Sequence, residues 1–105
     1  MTKAKFWGQD GTACGFKIEG HSTFDQMDDE GRAVCAAVSS AAYMAANTIA
    51  EIIGDSAETN VNDGEMFLNV KNPSESTVLV IRGLKLHLKE LSKQYSKRLE
   101  IISEV

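Results

Sequence analysis

The sequence lacks the residues and motifs that mark several common classes of protein. It has only two cysteines and two histidines among 105 residues, and no group of them has the spacing of a zinc site. Neither glycine-rich phosphate motif, G-x-G-x-x-G nor G-K-[ST], is present. The sequence therefore predicts no metal, nucleotide or other cofactor.

Cationic residues are too few for a protein that binds nucleic acid without regard to sequence. The chain has 11 Lys and Arg against 15 Asp and Glu, for a net charge of −4. Such a binder owes most of its affinity to contacts between Lys or Arg and phosphate groups. We expect no direct contact with nucleic acid, whereas a basic protein partner would suit the charge.

The N-terminal residues MTKAKF lack the apolar segment of a secretory signal. A cytoplasmic protein with free thiols is therefore expected. Positions 33–50 contain no charged residue, which approaches the length of a membrane span. Six of these residues are Ser, Thr, Asn, Tyr or Cys, and most of the rest are alanines. This composition favours a buried helix of a soluble protein, with no membrane contact.

The hydrophobic pattern predicts a single α+β domain over residues 1–105. Period-two alternation indicates strands, at 2–8, 13–20, 59–63, 65–71 and 98–105. Asp-Gly turns at positions 10–11 and 63–64 join the first four strands into two hairpins. The order β-β-α-β-β-α-β favours two layers, with two helices on a mostly antiparallel sheet.

The two predicted helices have recognisable ends. The first runs from about Ala33 to Ile53 and stops at Gly54, a favourable C-cap residue. The second follows Ser74, a favourable N-cap, and carries apolar residues at helical spacing. Gly83 lies in its middle, where glycine costs roughly 1 kcal/mol relative to alanine. We expect Gly83 to permit close packing.

One thiol and one imidazole stand where they could cooperate. Cys35 lies near the start of the first predicted helix, where the macrodipole and unpaired N–H groups favour a thiolate. His21 follows the second strand, and a polar loop joins it to Cys35. The imidazole could act as a base and then as an acid. Alternatively, Cys35 is a small core residue and His21 only hydrogen-bonds to the backbone.

The other reactive residues have structural explanations. Cys14 alternates with Phe16 and Ile18, which predicts a place in the core, and His87 is expected at the surface. Ser39 lies one helical turn after Cys35. It either contributes to the site or bonds back to a helix carbonyl.

Two segments give the chain a specific resemblance. Gly-His-Ser at positions 20–22 and Val-Cys-Ala-Ala-Val-Ser at positions 34–39 resemble the motif of the bacterial ribosomal-processing cysteine proteases, and the order of elements agrees over the whole chain. The resemblance implies that Cys35 is the nucleophile and His21 its base. Ser22 and Ser39, which lie in the same two segments, are assigned to substrate binding. It also implies a homodimer and a large-subunit ribosomal protein precursor as substrate, whose N-terminal extension is removed after a phenylalanine pair.

Two departures from that family leave an alternative open. The stretch between His21 and Cys35 is longer than usual, and Arg32 stands where the family commonly has an aspartate. A cation there could stabilise a thiolate but cannot accept a hydrogen bond from an imidazole. A carboxylate in the loop, at Asp25, Asp28 or Asp29, could replace the missing acid. The alternative is a non-catalytic, ribosome-associated interaction module on the same fold; a redox-sensing thiol is a weaker third reading.

Overall fold

The computed structural model describes residues 1–105 and has the predicted order of elements. These elements are β1 (Thr2–Gln9), β2 (Thr12–Glu19), α1 (Asp29–Asn47), β3 (Ala57–Asn62), β4 (Glu65–Val70), α2 (Glu75–Gln94) and β5 (Leu99–Ser103). The helix α1 continues directly into a π-helical segment, Thr48–Ile53.

The five strands form one sheet in the order β3-β4-β2-β1-β5. All neighbours are antiparallel except β1 and β5, which are parallel. Both residues of the turn between β1 and β2, Asp10 and Gly11, have positive φ angles of 54° and 80°, as a two-residue hairpin turn of matching twist requires. The predicted α+β class and mostly antiparallel sheet are confirmed.

Both helices share one hydrophobic core with the sheet. In β1 the inward residues Ala4 and Phe6 are buried, while Lys5 between them forms an ion pair of 2.8 Å with Glu19 on the other side. The core comprises 17 buried residues from all these elements except β3. The largest fully buried core side chains are Phe6, Phe16, Ile49, Leu68, Ile81, Leu88 and Leu99.

The first helix begins earlier than predicted. It starts at Asp29 rather than Ala33, because the Asp28 side chain caps it by accepting a hydrogen bond from the Gly31 amide. Its other end is as predicted: Gly54 has a left-handed φ of 81°. The start of α1 lies further from Cys35 as a consequence.

The continuous helix from Asp29 to Ile53 is long and apolar enough to cross a membrane by length and composition alone. Only 28% of its most apolar window is buried. The prediction of a buried helix is therefore correct only for the side of α1 that faces the sheet. On that side, Val34, Val38 and Ala42 are each at most 2% exposed. The opposite side of the helix is open.

The predicted burial of Cys14 is confirmed, whereas the expected role of Gly83 is not. Cys14 is 7% exposed and lies beside the largest core cluster, with its Sγ 3.8 Å from the Asn69 Oδ1. The reason is a bulge: the register changes from Trp7–Gly15 to Gly8–Ala13, so Cys14 has no partner and the alternation is interrupted. Gly83 faces open space and permits no close contact.

Candidate active site

A cleft of about 470 Å³ lies where β2 ends, between α1 and the hairpin of β3 and β4. The end of β2 provides His21, and α1 provides Cys35 and Ser39. The remaining lining residues are Thr2, Ile18, Gly20, Val38, Ala42, Tyr43, Val61, Asn62, Asp63, Gly64, Glu65 and Met66. The fold thus brings three of the four predicted site residues into one cleft.

His21 reaches the cleft through a glycine turn. Gly20 has a φ of 88°, a conformation that favours glycine, and its amide donates to the Gly64 carbonyl at 3.0 Å. The imidazole then rests on Gly64, where an added Cβ would lie only 2.8 Å from Nε2. No side-chain hydrogen bond within the chain involves His21, and the residue is exposed.

Cys35 is half-buried and is the seventh residue of α1. This corrects the prediction that it lies at the helix start, since the unpaired amides of a helix belong to its first turn. The donor to the thiol comes from the loop instead: the Ser22 amide lies 3.1 Å from the Cys35 Sγ.

Ser22 is fully buried, and both its hydroxyl and its carbonyl are hydrogen-bonded. Its hydroxyl donates to the Arg98 carbonyl at 3.0 Å and lies 2.6 Å from the Thr2 hydroxyl, while its carbonyl accepts from Arg98 Nη1 at 2.8 Å. The side chain therefore does not line the cleft, and a role of Ser22 in binding substrate stays a prediction. The part of Ser22 that faces Cys35 is its backbone amide.

Ser39 is exposed and lines the cleft. It makes no side-chain hydrogen bond within the chain, in contrast to Thr48, whose hydroxyl donates to the Met44 carbonyl one turn back at 2.7 Å. Its hydroxyl is available to a molecule bound in the cleft.

The loop between His21 and the start of α1 is anchored by Arg98, just before β5. Arg98 Nη1 lies 2.5 Å from the Asp28 Oδ2, and its guanidinium stacks 4.2 Å above the ring of Phe24. Asp28 also accepts from the amides of Phe24 and Gly31, at 2.8 and 3.0 Å. The hydrogen bond from Arg98, followed by those two amides, lowers the pKa of Asp28 to about 2.

Arg32 is bound to the loop between His21 and α1. Its guanidinium donates to the Gln26 carbonyl at 2.6 Å and pairs with the Asp29 carboxylate, and its side chain is 54% exposed. The positive charge of Arg32 is therefore directed at the loop. The Asp29 carboxylate is paired with Arg32.

None of the three acids considered for orienting His21 lines the cleft. Asp28 is held by Arg98, and Asp25 accepts from the Met27 amide at 2.8 Å. The carboxylates that do line the cleft are Asp63 and Glu65, which sequence reasoning missed.

The signal that could have found these acids is the pairing of β2 with β4. Glu19 pairs with Glu65, so the turn at positions 63–64 must lie beside the end of β2. Since His21 follows that end directly, any acid in the turn lies near the imidazole. No group of three or more His, Cys, Asp or Glu side chains could hold a metal ion.

The family described as cysteine protease Prp matches residues 1–100. The chain belongs to this family. A comparison with curated protein sequences finds no match.

Solved structures of the same fold cover nearly the whole chain. The essential ribosomal processing protease Prp from S. aureus, in complex with a covalently linked product peptide, has a TM-score of 0.85 at 17% identity, over 99% of this chain and 100% of that one. SMU.848 from Streptococcus mutans has a TM-score of 0.82 at 19% identity, over 99% of each chain. At such identities the likeness concerns the fold.

Membership of the Prp family makes the chain a cysteine protease. Of its two cysteines, only Cys35 lines the cleft. Burial raises the pKa of the Cys14 thiol, which disfavours its thiolate.

Proposed function

We propose that this protein is a cysteine endopeptidase that removes the N-terminal extension of a large-subunit ribosomal protein precursor, with Cys35 as nucleophile and His21 as base. The observation that carries the proposal is the cleft shared by Cys35 and His21, in which the Ser22 amide donates to the thiol. A thiol with a nearby base and an N–H donor has what acyl transfer needs.

In the proposed reaction, His21 accepts the proton of the Cys35 thiol, and the sulfur forms a bond with the scissile carbonyl carbon. His21 then gives the proton to the departing amine as the C–N bond breaks, which leaves a thioester. Water activated by His21 hydrolyses the thioester and restores the thiol. The Ser22 amide takes the place that sequence reasoning gave to the helix start, as the backbone donor beside the reacting sulfur.

The charge of the cleft suits a basic substrate. Asp63 and Glu65 line it, and no Lys or Arg does. The solved S. aureus relative is a ribosomal processing protease, and it has also been solved in complex with a substrate peptide. We extend that substrate class to this chain, with Ser39 as a hydroxyl that contacts the bound peptide.

We further propose a cytoplasmic homodimer that binds neither nucleic acid nor membrane. The open side of α1 supports self-association, because positions 33–50 carry no charge and Tyr43 and Met44 are 45% and 67% exposed. Large apolar side chains on an uncharged face are typical of an interaction surface. Sedimentation velocity at micromolar concentration measures the assembly directly.

The test of the activity is cleavage of a peptide that carries a ribosomal N-terminal extension with a phenylalanine pair. We expect Cys35→Ala to abolish cleavage, and His21→Ala to reduce it by at least about 100-fold, the usual contribution of a general base. Cys14→Ala is the matched control, since that thiol lies outside the cleft, and it should cleave as the wild type does. Cleavage that survives Cys35→Ala would exclude the proposed nucleophile.

The alternative of a non-catalytic interaction module is favoured by one observation: the His21 ring has no acid bonded to it, and Arg32 occupies the position of the family's usual aspartate. This alternative predicts that the wild type binds the precursor without turnover. It also predicts that alkylation of Cys35 leaves binding unchanged. Turnover by the wild type that stops on alkylation would exclude it.

A further inference from the structure

We propose that Arg98 is a positioning residue for Cys35: its guanidinium holds the loop at positions 22–28 in the conformation that directs the Ser22 amide at the thiol. The role of this contact in catalysis rests on the proposed function. The effect of Arg98 on the reactivity of the thiol does not.

The first step of the argument is that Arg98 determines where Ser22 lies. It bonds to Ser22 twice, as an acceptor through its backbone carbonyl at 3.0 Å and as a donor through Nη1 at 2.8 Å. The third partner, the Thr2 hydroxyl, belongs to β1, and the Thr2 amide also donates to the Arg98 carbonyl at 2.9 Å. With its side chain and carbonyl fixed in this way, Ser22 directs its remaining polar group, the amide, at Cys35.

The second step is that Arg98 joins the loop to the helix that carries Cys35. The same nitrogen that reaches the Ser22 carbonyl also reaches Asp28, the N-cap of α1. The guanidinium covers Phe24 between them. One side chain thus fixes the beginning, the middle and the end of the loop relative to α1.

The packing around Arg98 shows that this arrangement is built into the fold. Its side chain is 12% exposed, whereas that of Arg32, which bonds to this loop from the first turn of α1, is 54% exposed. A Cβ added to Gly31 would lie 2.7 Å from the Arg98 Nη1 and 2.7 Å from the Thr23 Cα. The glycine therefore provides the space that the guanidinium and the loop occupy.

The chemical consequence concerns the thiolate. A hydrogen bond from a backbone amide to an anion is stronger than one to a neutral acceptor, and it depends on distance and angle. An amide held at the sulfur is therefore a stronger partner for the attacking thiolate than for the thiol. The titratable side chains that share the cleft with Cys35 are His21, Tyr43, Asp63 and Glu65. The guanidinium of Arg98 does not line the cleft, so it acts through Ser22.

The test measures alkylation of Cys35 by iodoacetamide as a function of pH, in a Cys14→Ala background so that a single thiol reacts. We expect Arg98→Met to move the profile up by about one pH unit and to slow alkylation at pH 7 about tenfold, because one unit is a tenfold change in thiolate fraction. Arg98→Lys keeps the charge and should give an intermediate shift, since an ammonium lacks the planar fork of guanidinium.

The matched control is Arg32→Met, which removes the same charge from another arginine that bonds to this loop, at Gln26 rather than Ser22. We expect its alkylation rate to stay within about twofold of the parent, as for a surface substitution. Circular dichroism and thermal melts establish that each variant is folded. Should Arg98→Met fail to fold, Arg98→Lys compared with Arg32→Lys decides the matter.

Two results would overturn the inference. One is an unchanged pH profile in the folded Arg98 variants. The other is faster alkylation at every pH, which would mean that Arg98 merely keeps the thiol covered. Peptide cleavage separates this inference from the proposed function. If the Arg98 variants shift the alkylation profile but the wild type never cleaves the peptide, the positioning role stands and the protease proposal fails. If the wild type cleaves but the profile does not shift, the protease proposal stands and the positioning role fails.

Discussion

Each of the two helices begins beside an aspartate that organises the chain around it, but the partners differ. Asp28 is the N-cap of α1, and its carboxylate binds two amides and the Arg98 guanidinium. Asp55 lies outside α2, whose N-cap is Ser74. It accepts from the amide and hydroxyl of Ser74, each at 2.8 Å, and from the buried Thr77 hydroxyl at 2.6 Å.

The difference separates the cluster around Asp55, which only holds the start of α2, from the cluster around Asp28, which also serves the site. The Thr77 hydroxyl, followed by Ser74, lowers the pKa of Asp55, so neutral donors alone hold that carboxylate. At Asp28 the largest cause is Arg98, which in turn reaches the residue whose amide faces Cys35. Substitution of Asp55 should therefore change stability alone. Substitution of Asp28 should change the chemistry of the cleft as well.

The largest expected difference is between Asp28→Ala and Asp55→Ala. Loss of Asp28 frees Arg98 and the loop, so we expect peptide cleavage to fall about tenfold or more, the range reached when positioning near a reacting group is lost. Loss of Asp55 leaves the buried Thr77 hydroxyl and the partly buried Ser74 amide without this acceptor, and the melting temperature should fall by about 5 °C or more. The kcat of folded Asp55→Ala should stay near that of the wild type.

Steady-state kinetics at a temperature well below both melting transitions checks this comparison. Asp28→Asn, which retains one acceptor oxygen, should recover part of the lost activity. An equal loss of kcat in the folded Asp28 and Asp55 variants would mean that the two clusters do not differ in function.

A smaller difference is expected between alanine substitutions at two helical glycines. At Gly31 the new methyl group would overlap the guanidinium and the backbone of the loop, so Gly31→Ala should lower both cleavage and the melting temperature. At Gly83 nothing lies within 4 Å of the new Cβ, and alanine should stabilise α2 by up to about 1 kcal/mol. Chemical denaturation measures the change in stability, and peptide cleavage measures the change in activity. A Gly31→Ala variant that cleaves as fast as Gly83→Ala would contradict the close packing of Gly31 against Arg98.

The order of elements followed from local patterns. Alternation and the two Asp-Gly turns placed the hairpins, and Gly54 placed the end of the long helix. The predicted start of α1 is four residues late because the pattern assigns Asp28 and the acids after it to the loop. The signal was present, since a capping aspartate followed by acids in the first turn is typical of a helix N-terminus.

The site was only partly predictable, for reasons of distance along the chain. His21, Cys35 and Ser39 belong to local motifs, and they line one cleft. Arg98 is 76 positions from Ser22, and nothing in the sequence around either residue indicates their contact. The burial of the Ser22 side chain depends on that contact, so it could not be foreseen from a position beside His21.

The smallest expected effect is on the pH dependence of stability. The pKa of Asp28 is about 2 in the folded protein against an ordinary value of 3.8. A lowered carboxyl pKa contributes stability that is complete above the unfolded value and is lost as the pH falls through the folded one. The stability difference between wild type and Asp28→Asn should therefore be constant from pH 7 to about 5 and shrink between about pH 4 and 2.

Urea unfolding at a series of pH values measures this difference, and Asp55→Asn supplies the comparison. The Asp55 carboxylate is held without a cation, so raising the salt concentration should leave its contribution to stability unchanged. Screening by salt should weaken the contribution of the Asp28 and Arg98 pair only slightly, because both side chains are mostly buried. A difference for Asp28→Asn that persists undiminished at pH 2 would show that the carboxylate charge is not what binds Arg98. The loop would then be held by the backbone bonds of Ser22 and the stacking on Phe24 alone.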